Sequence, residues 1–153
     1  MDEPLAHELF QEAWSQQNNN SKSSLVIGIA AAETGVKHLV LESVPAASWL
    51  IENMRSPPMV RILREYLPRL PTRITIGSKV LAPPDWLVEA IEKGVLLRNK
   101  IVHGQAVTLK LSTVREILEA VNDLLYYCDL LAGHVWAAHR LSHRFQLYLK
   151  GEA

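Results

Sequence analysis

Residues 98 to 103, Arg98-Asn99-Lys100-Ile101-Val102-His103, place a guanidinium, an amide and an imidazole in one short stretch, and Gly104 follows. These groups suit phosphate chemistry. A guanidinium offers permanent charge and a two-pronged fork for phosphate oxygens, and an imidazole titrating near neutrality can accept or release a proton. Nine arginines and six histidines make such a spacing common by chance, so its setting must carry the argument. On an ideal helix over 86–103, at about 100° per residue, Leu87, Ile91, Val95, Ile101 and Val102 fall within about 60° of Arg98. Glu89, Glu92, Lys93 and Lys100 cluster on the opposite side. Arg98 is therefore expected to be buried or interfacial, where it needs a carboxylate, carbonyl or phosphate because it cannot shed its proton. His103 falls about 140° round from Arg98, at the edge of the stripe beside Asn99, with Gly104 as the C-cap residue.

A second charge occupies an apolar stripe. A helix over about 24–42, built on Val26, Ile29, Ala30, Val36 and Val40, carries Glu33 at the centre of its face. Two helices each holding one charge of opposite sign in an apolar face predict a Glu33–Arg98 pair, since a buried arginine without an acceptor costs several kcal/mol. The competing partner for Glu33 is Lys37, one turn on, in a solvent-side arrangement worth about a few tenths of a kcal/mol.

The elements that must position these groups are read from periodicity. Leu5, Leu9, Phe10, Ala13 and Trp14 give a first helix over 4–17, followed by the polar run Gln16 to Asn20. Ser21, Ser23 and Ser24 offer N-caps for the second helix. Ser43 and Pro45 open a short helix to about Met54, with Ala46, Ala47, Trp49, Leu50 and Ile51 as its apolar content. Pro57 to Leu67 forms another, which must stop before Pro68. Arg73-Ile74-Thr75-Ile76 and Lys79-Val80-Leu81 flank Gly77-Ser78 and predict a small β-hairpin near 72–82, lying on the helices. The motif helix runs from about Pro84 to His103, with an extended connector over 106–111. Thr113 with Glu116 reads as a capping box. Apolar residues then recur from Val114 to Tyr148, giving one helix of about 35 residues or two joined near Gly133. The expected fold is all-α: a compact bundle of five or six helices with the hairpin insert, a single domain over 1–153.

The chain has 153 residues, 48% of them hydrophobic, enough to bury a core rather than remain disordered. Sixteen basic residues balance sixteen acidic ones, so no whole-molecule field points to nucleic acid. Locally, Arg55, Arg61, Arg64, Arg69 and Arg73 face Glu65 alone, a solvated face or a phosphate-binding flank. No recognition-helix pattern accompanies them to support DNA binding. The single cysteine, Cys128, excludes an intramolecular disulfide and reads as packing. With no basic-then-apolar leader pattern, the expected location is cytoplasmic. The longest apolar run, Leu25 to Ala32, is far short of the roughly 20 residues a membrane span needs.

His139 and His143 are four apart and could share a metal ion on one helix face, but no second ligand pair supports them. With Arg140, Arg144 and Lys150 they read as a basic face, while Trp136, Phe145 and Tyr148 read as core or dimer seam. No phosphate-cradling glycine loop or nucleophile elbow occurs. No metal and no cofactor is expected.

The segment Arg98-Asn99-Lys100-Ile101-Val102-His103 resembles the Arg-Asn-x-x-x-His signature of the HEPN superfamily, whose members are compact helical bundles. The likeness covers the motif helix closely, and the helix around Ala32-Glu33 and the long helix after the motif more loosely. Many HEPN proteins are metal-independent ribonucleases of toxin–antitoxin or antiviral systems that bring two motifs together in a dimer. The resemblance implies Arg98 and His103 as a catalytic pair, Asn99 as the polar residue beside the arginine, and Glu33 as a polar partner. It also implies a homodimer, an RNA substrate and an antitoxin or defence-system partner protein. Gln105 stands where some HEPN toxins paired with a nucleotidyltransferase antitoxin carry a tyrosine. The alternative function is a non-catalytic dimerisation module in which Glu33 and Arg98 form a structural pair.

Overall fold

The computed structural model describes residues 4–74 and 80–151. Four longer helices make its body: α1 (Leu5–Gln16), α2 (Ser21–Ser43), and two that follow a region of short turns. That region holds α3 (Ser48–Glu52), entered through a 3-10 turn at Pro45–Ala47, and α4 (Met59–Arg61). The motif lies on α5 (Asp85–Val102); α6 (Leu111–Leu131) and the short α7 (His143–Leu149) complete the chain. The all-α expectation holds.

Small residues set how closely these helices approach. Gly28 and Gly35 lie against Leu118 and Leu125 of α6, and against Ala13 and Ala6 of α1. α2 thus runs antiparallel to α1 and alongside α6, and a Cβ at either glycine would come within 2.5 Å of a leucine methyl. One core cluster joins Ala6, Leu25, Ile29, Leu63, Leu87, Ile91, Leu124 and Phe145, tying early and late elements together. With 23 residues and a mean hydropathy of 1.4 over its most apolar window, α2 is long and apolar enough to cross a membrane, contrary to the reading from its uninterrupted run. In this fold it is the central core helix.

Several local expectations change. The N-cap of α2 is Asn20, whose side chain accepts from Ser23 N at 3.2 Å, rather than one of the serines. α6 begins two residues before Thr113, at Leu111, with Lys110 at its N-cap and no side-chain cap, so the capping box does not form. The helix expected over 57–67 is α-helical only through Arg61. It widens into a π turn over Ile62–Tyr66, and a 3-10 turn over Leu67–Arg69 carries the chain through Pro68. The missing N–H of Pro68 forbids a regular α-helical continuation.

The turn of the hairpin expected near 72–82 lies outside the described residues. Its described flanks, Arg73-Ile74 and Val80-Leu81, form no strand, and none occurs among the described residues. Their backbone groups are taken by helices instead. Arg73 N donates to Leu131 O at 3.1 Å, and the hydroxyls of Tyr127 and Tyr148 donate to Leu81 O (2.6 Å) and Ala82 O (2.7 Å). These described flanks lie on the helices.

The periodicity after the motif resolves into two helices, not one. Gly133, at φ +106°, ends α6: its N–H and that of His134 return to the carbonyls of Leu130 and Asp129. A 3-10 turn over Val135–Arg140 then leads to α7. The lock between α6 and α7 is Asp123, buried at 3% exposure. Its carboxylate accepts from Ser142 N at 2.8 Å and Ser142 Oγ at 2.6 Å, and Ser142 caps α7.

Burial raises the Asp123 carboxyl above its ordinary 3.8, opposed by the Ser142 hydrogen bonds and Arg144. Folding therefore favours its protonated form: the associated stability is full below the ordinary value and is lost as pH rises through the folded-state value. Urea titrations across the acid range should show wild type losing stability relative to Asp123→Asn as pH increases through that window. Asp123→Ala, which strands the Ser142 N–H, should be about 1–3 kcal/mol less stable than wild type at neutral pH.

Candidate active site at the end of the motif helix

Pro84 precedes α5 and Asp85 lies in its first turn, favourable to the positive end of the helix. Its inner face is Leu87, Val88, Ala90, Ile91 and Gly94, all buried. At Gly94 a Cβ would meet Ile29 Cδ1 at 2.5 Å and Ile117 Cγ2 at 2.9 Å, so α5 seats directly on α2 and α6 because that position has no side chain. Arg98, one turn later, is thereby brought over α2.

There the expected pair forms. Arg98 Nη1 donates to Glu33 Oε1 at 2.6 Å, with the two side chains only 15% and 13% exposed. Arg98 Nε donates to Asn99 Oδ1 at 3.1 Å, which turns the neighbouring amide onto the same guanidinium. Lys37, the competing partner, instead donates from Nζ to Met54 O at 3.0 Å. Among the described residues, Nη2 of Arg98 has no hydrogen-bond partner.

His103 occupies the C-cap of α5, with φ −88° and ψ 9°, and its side chain is exposed. Gly104, at φ +71°, reverses the chain. Gly104 N returns to Ile101 O at 3.0 Å and Gln105 N to Lys100 O at 2.9 Å. This pair of bonds is the Schellman closure that a left-handed glycine permits, and it fixes where the imidazole leaves the helix. Glu33, Arg98 and Asn99 are brought together; His103 is not bonded to any of their side chains. It stands about 140° round the helix from Arg98, on the surface of the same helix end.

Val102 belongs to the apolar stripe by spacing yet is 59% exposed, while Ile101 beside it packs against the core. The other sequence candidates disperse. His139 lies in the 3-10 turn, Leu141 is extended, and His143 opens α7, so the common helix face assumed for a metal pair does not exist. Among the described residues no cluster of three or more such ligands could hold a metal ion. Within the arginine-rich stretch, Arg61 pairs with Glu65 at 3.0 Å and Arg64 approaches Asp85 at 3.7 Å, both exposed pairs. Phe145 is core and Trp136 is 55% exposed. Cys128 is buried.

Two polar features escaped the sequence reading. Gln17, placed in a polar turn, is buried at 4% and accepts from Arg115 Nε at 3.2 Å. His7 Nε2 and Asp129 Oδ2 are 2.7 Å apart, joining α1 to α6. Asp123 and Asp129 both interrupt the apolar pattern of α6, and that was the available signal.

No family model, no curated protein and no solved structure matches the chain.

Proposed function

We propose that this chain is the protomer of a homodimeric, metal-independent endoribonuclease of toxin or defence type, acting in the cytoplasm. The observation that carries the reading is a nearly buried arginine held by a carboxylate from another helix, with an imidazole left exposed at the end of the arginine's own helix. In this reading the RNA 2′-hydroxyl attacks the adjacent phosphorus while one His103 accepts its proton. The second His103, from the other copy, gives a proton to the departing 5′-oxygen, leaving a 2′,3′-cyclic phosphate and a 5′-hydroxyl. Arg98, through Nη2, and the Asn99 amide face the charge that builds on the phosphorane oxygens. Glu33 is a positioning residue that holds the guanidinium. Val102 would be covered by the second copy, and an antitoxin or other defence-system protein is the expected partner.

A second reading is a non-catalytic dimerisation module. It is favoured by the direct contact of Glu33 with Arg98, which neutralises much of the charge that phosphate would need.

Incubation of the purified protein with mixed RNA in chelator separates the two. Wild type should cleave, and His103→Ala should reduce the rate by roughly 10²–10⁴-fold, the usual contribution of a general acid or base. Arg98→Ala should also be impaired. Equal cleavage by all three proteins, or none by wild type across pH and salt, would reject the ribonuclease reading.

A further inference from the structure

On the side of α2 facing α1, away from α5, Thr34, Gly35 and His38 border a cleft of about 140 Å³. Its floor is apolar, formed by Ala6, Leu39, Leu125 and Cys128, and its rim carries Asp129 and Glu42 with three histidines, His7, His38 and His134. Among the described residues, no lysine or arginine lines it. A dry cavity of roughly 150 Å³ accepts a benzene-sized molecule, so the space suits a compound of that size.

The carboxylate at its rim is held in place. Asp129 Oδ2 is bonded to His7 Nε2 at 2.7 Å, the His7 ring is braced by Tyr126 with centroids 5.0 Å apart, and both partners of the pair are largely shielded, at 12% and 22% exposure. The other oxygen, Oδ1, accepts no hydrogen bond among the described residues. Glu42, paired with His38 at 3.3 Å, adds a second, more exposed carboxylate at the mouth. An apolar floor under two carboxylates, one of them with an oxygen left unbonded among the described residues, is complementary to an ammonium group on a small hydrophobic body.

We propose that this cleft is a binding site for a small organic cation, a primary amine with a benzyl-sized apolar part, whose ammonium group donates to Asp129 Oδ1. The site is separate from Arg98 and His103, and the ribonuclease reading can fail without affecting it.

The test is an amide-resolved NMR titration of the full chain at neutral pH with benzylamine, benzyl alcohol and benzoate as probes. Benzylamine should shift the amides of Ala6, Gly35 and Asp129 saturably, benzyl alcohol should bind at least about ten-fold more weakly, and benzoate should not bind. Asp129→Asn should weaken benzylamine by about ten-fold or more. Glu42→Lys, at an exposed position where loss of the ion pair leaves the fold intact, should weaken it several-fold. Equal affinity for the amine and the alcohol would overturn the proposal, as would the absence of a saturable shift. So would unchanged benzylamine binding by Glu42→Lys, the deciding variant if Asp129→Asn does not fold.

Discussion

Glu33→Ala is expected to lower the stability of the fold by about 3 kcal/mol, the loss typical of removing one partner of a buried ion pair. The loss comes from what is left behind rather than from what is removed. Arg98 remains charged, is 15% exposed, and among the described residues retains only Asn99 as an acceptor, on its Nε. The double variant Glu33→Leu/Arg98→Met removes both charges from the same apolar surroundings and should return to within about 1 kcal/mol of wild type. Urea unfolding followed by far-UV circular dichroism measures both. A Glu33→Ala protein as stable as wild type would mean that the guanidinium finds water or another acceptor and that the pair does not anchor α5 to α2.

Mixed dimers should show the second large effect. If each active centre requires His103 from both copies, a dimer of one wild-type and one His103→Ala chain is inactive. An equal mixture, allowed to exchange subunits fully, should then retain about one quarter of wild-type activity, as random pairing in a two-fold assembly dictates. Protomers acting independently would retain about half under the same pairing. The RNA cleavage rate after exchange distinguishes the two arrangements.

The pair at the centre of this account was legible because charge in an apolar stripe is a local pattern. Arg98 could be placed on the inner face of α5 from spacing alone, and Glu33 on α2 likewise; their meeting followed from the high cost of leaving either unpaired. The sequence was less informative wherever a neighbour decides the outcome. Val102 has the spacing of a buried residue, yet it is 59% exposed beside Ile101, which packs against the core. The Thr113–Glu116 capping box was a correct local match that lost to an earlier helix start at Leu111. The residues flanking Gly77-Ser78 have the composition of strands, yet their carbonyls at Leu81 and Ala82 are claimed by tyrosine hydroxyls from α6 and α7. Periodicity carries no information about such long-range acceptors. The same limit hid Asp123 and Asp129, whose partners, Ser142 and His7, lie far away in the chain.

The chemistry assigned to His103 leaves a mark on its product. An RNA oligonucleotide incubated in chelator with wild type, then analysed by mass for its new termini, should carry 2′,3′-cyclic phosphate and 5′-hydroxyl ends. A matched substrate with 2′-deoxy sugars should stay intact, and His103→Ala should generate almost no product. Cleavage that leaves 3′-hydroxyl ends, cutting of the deoxy substrate, or wild-type product levels from His103→Ala would contradict the account.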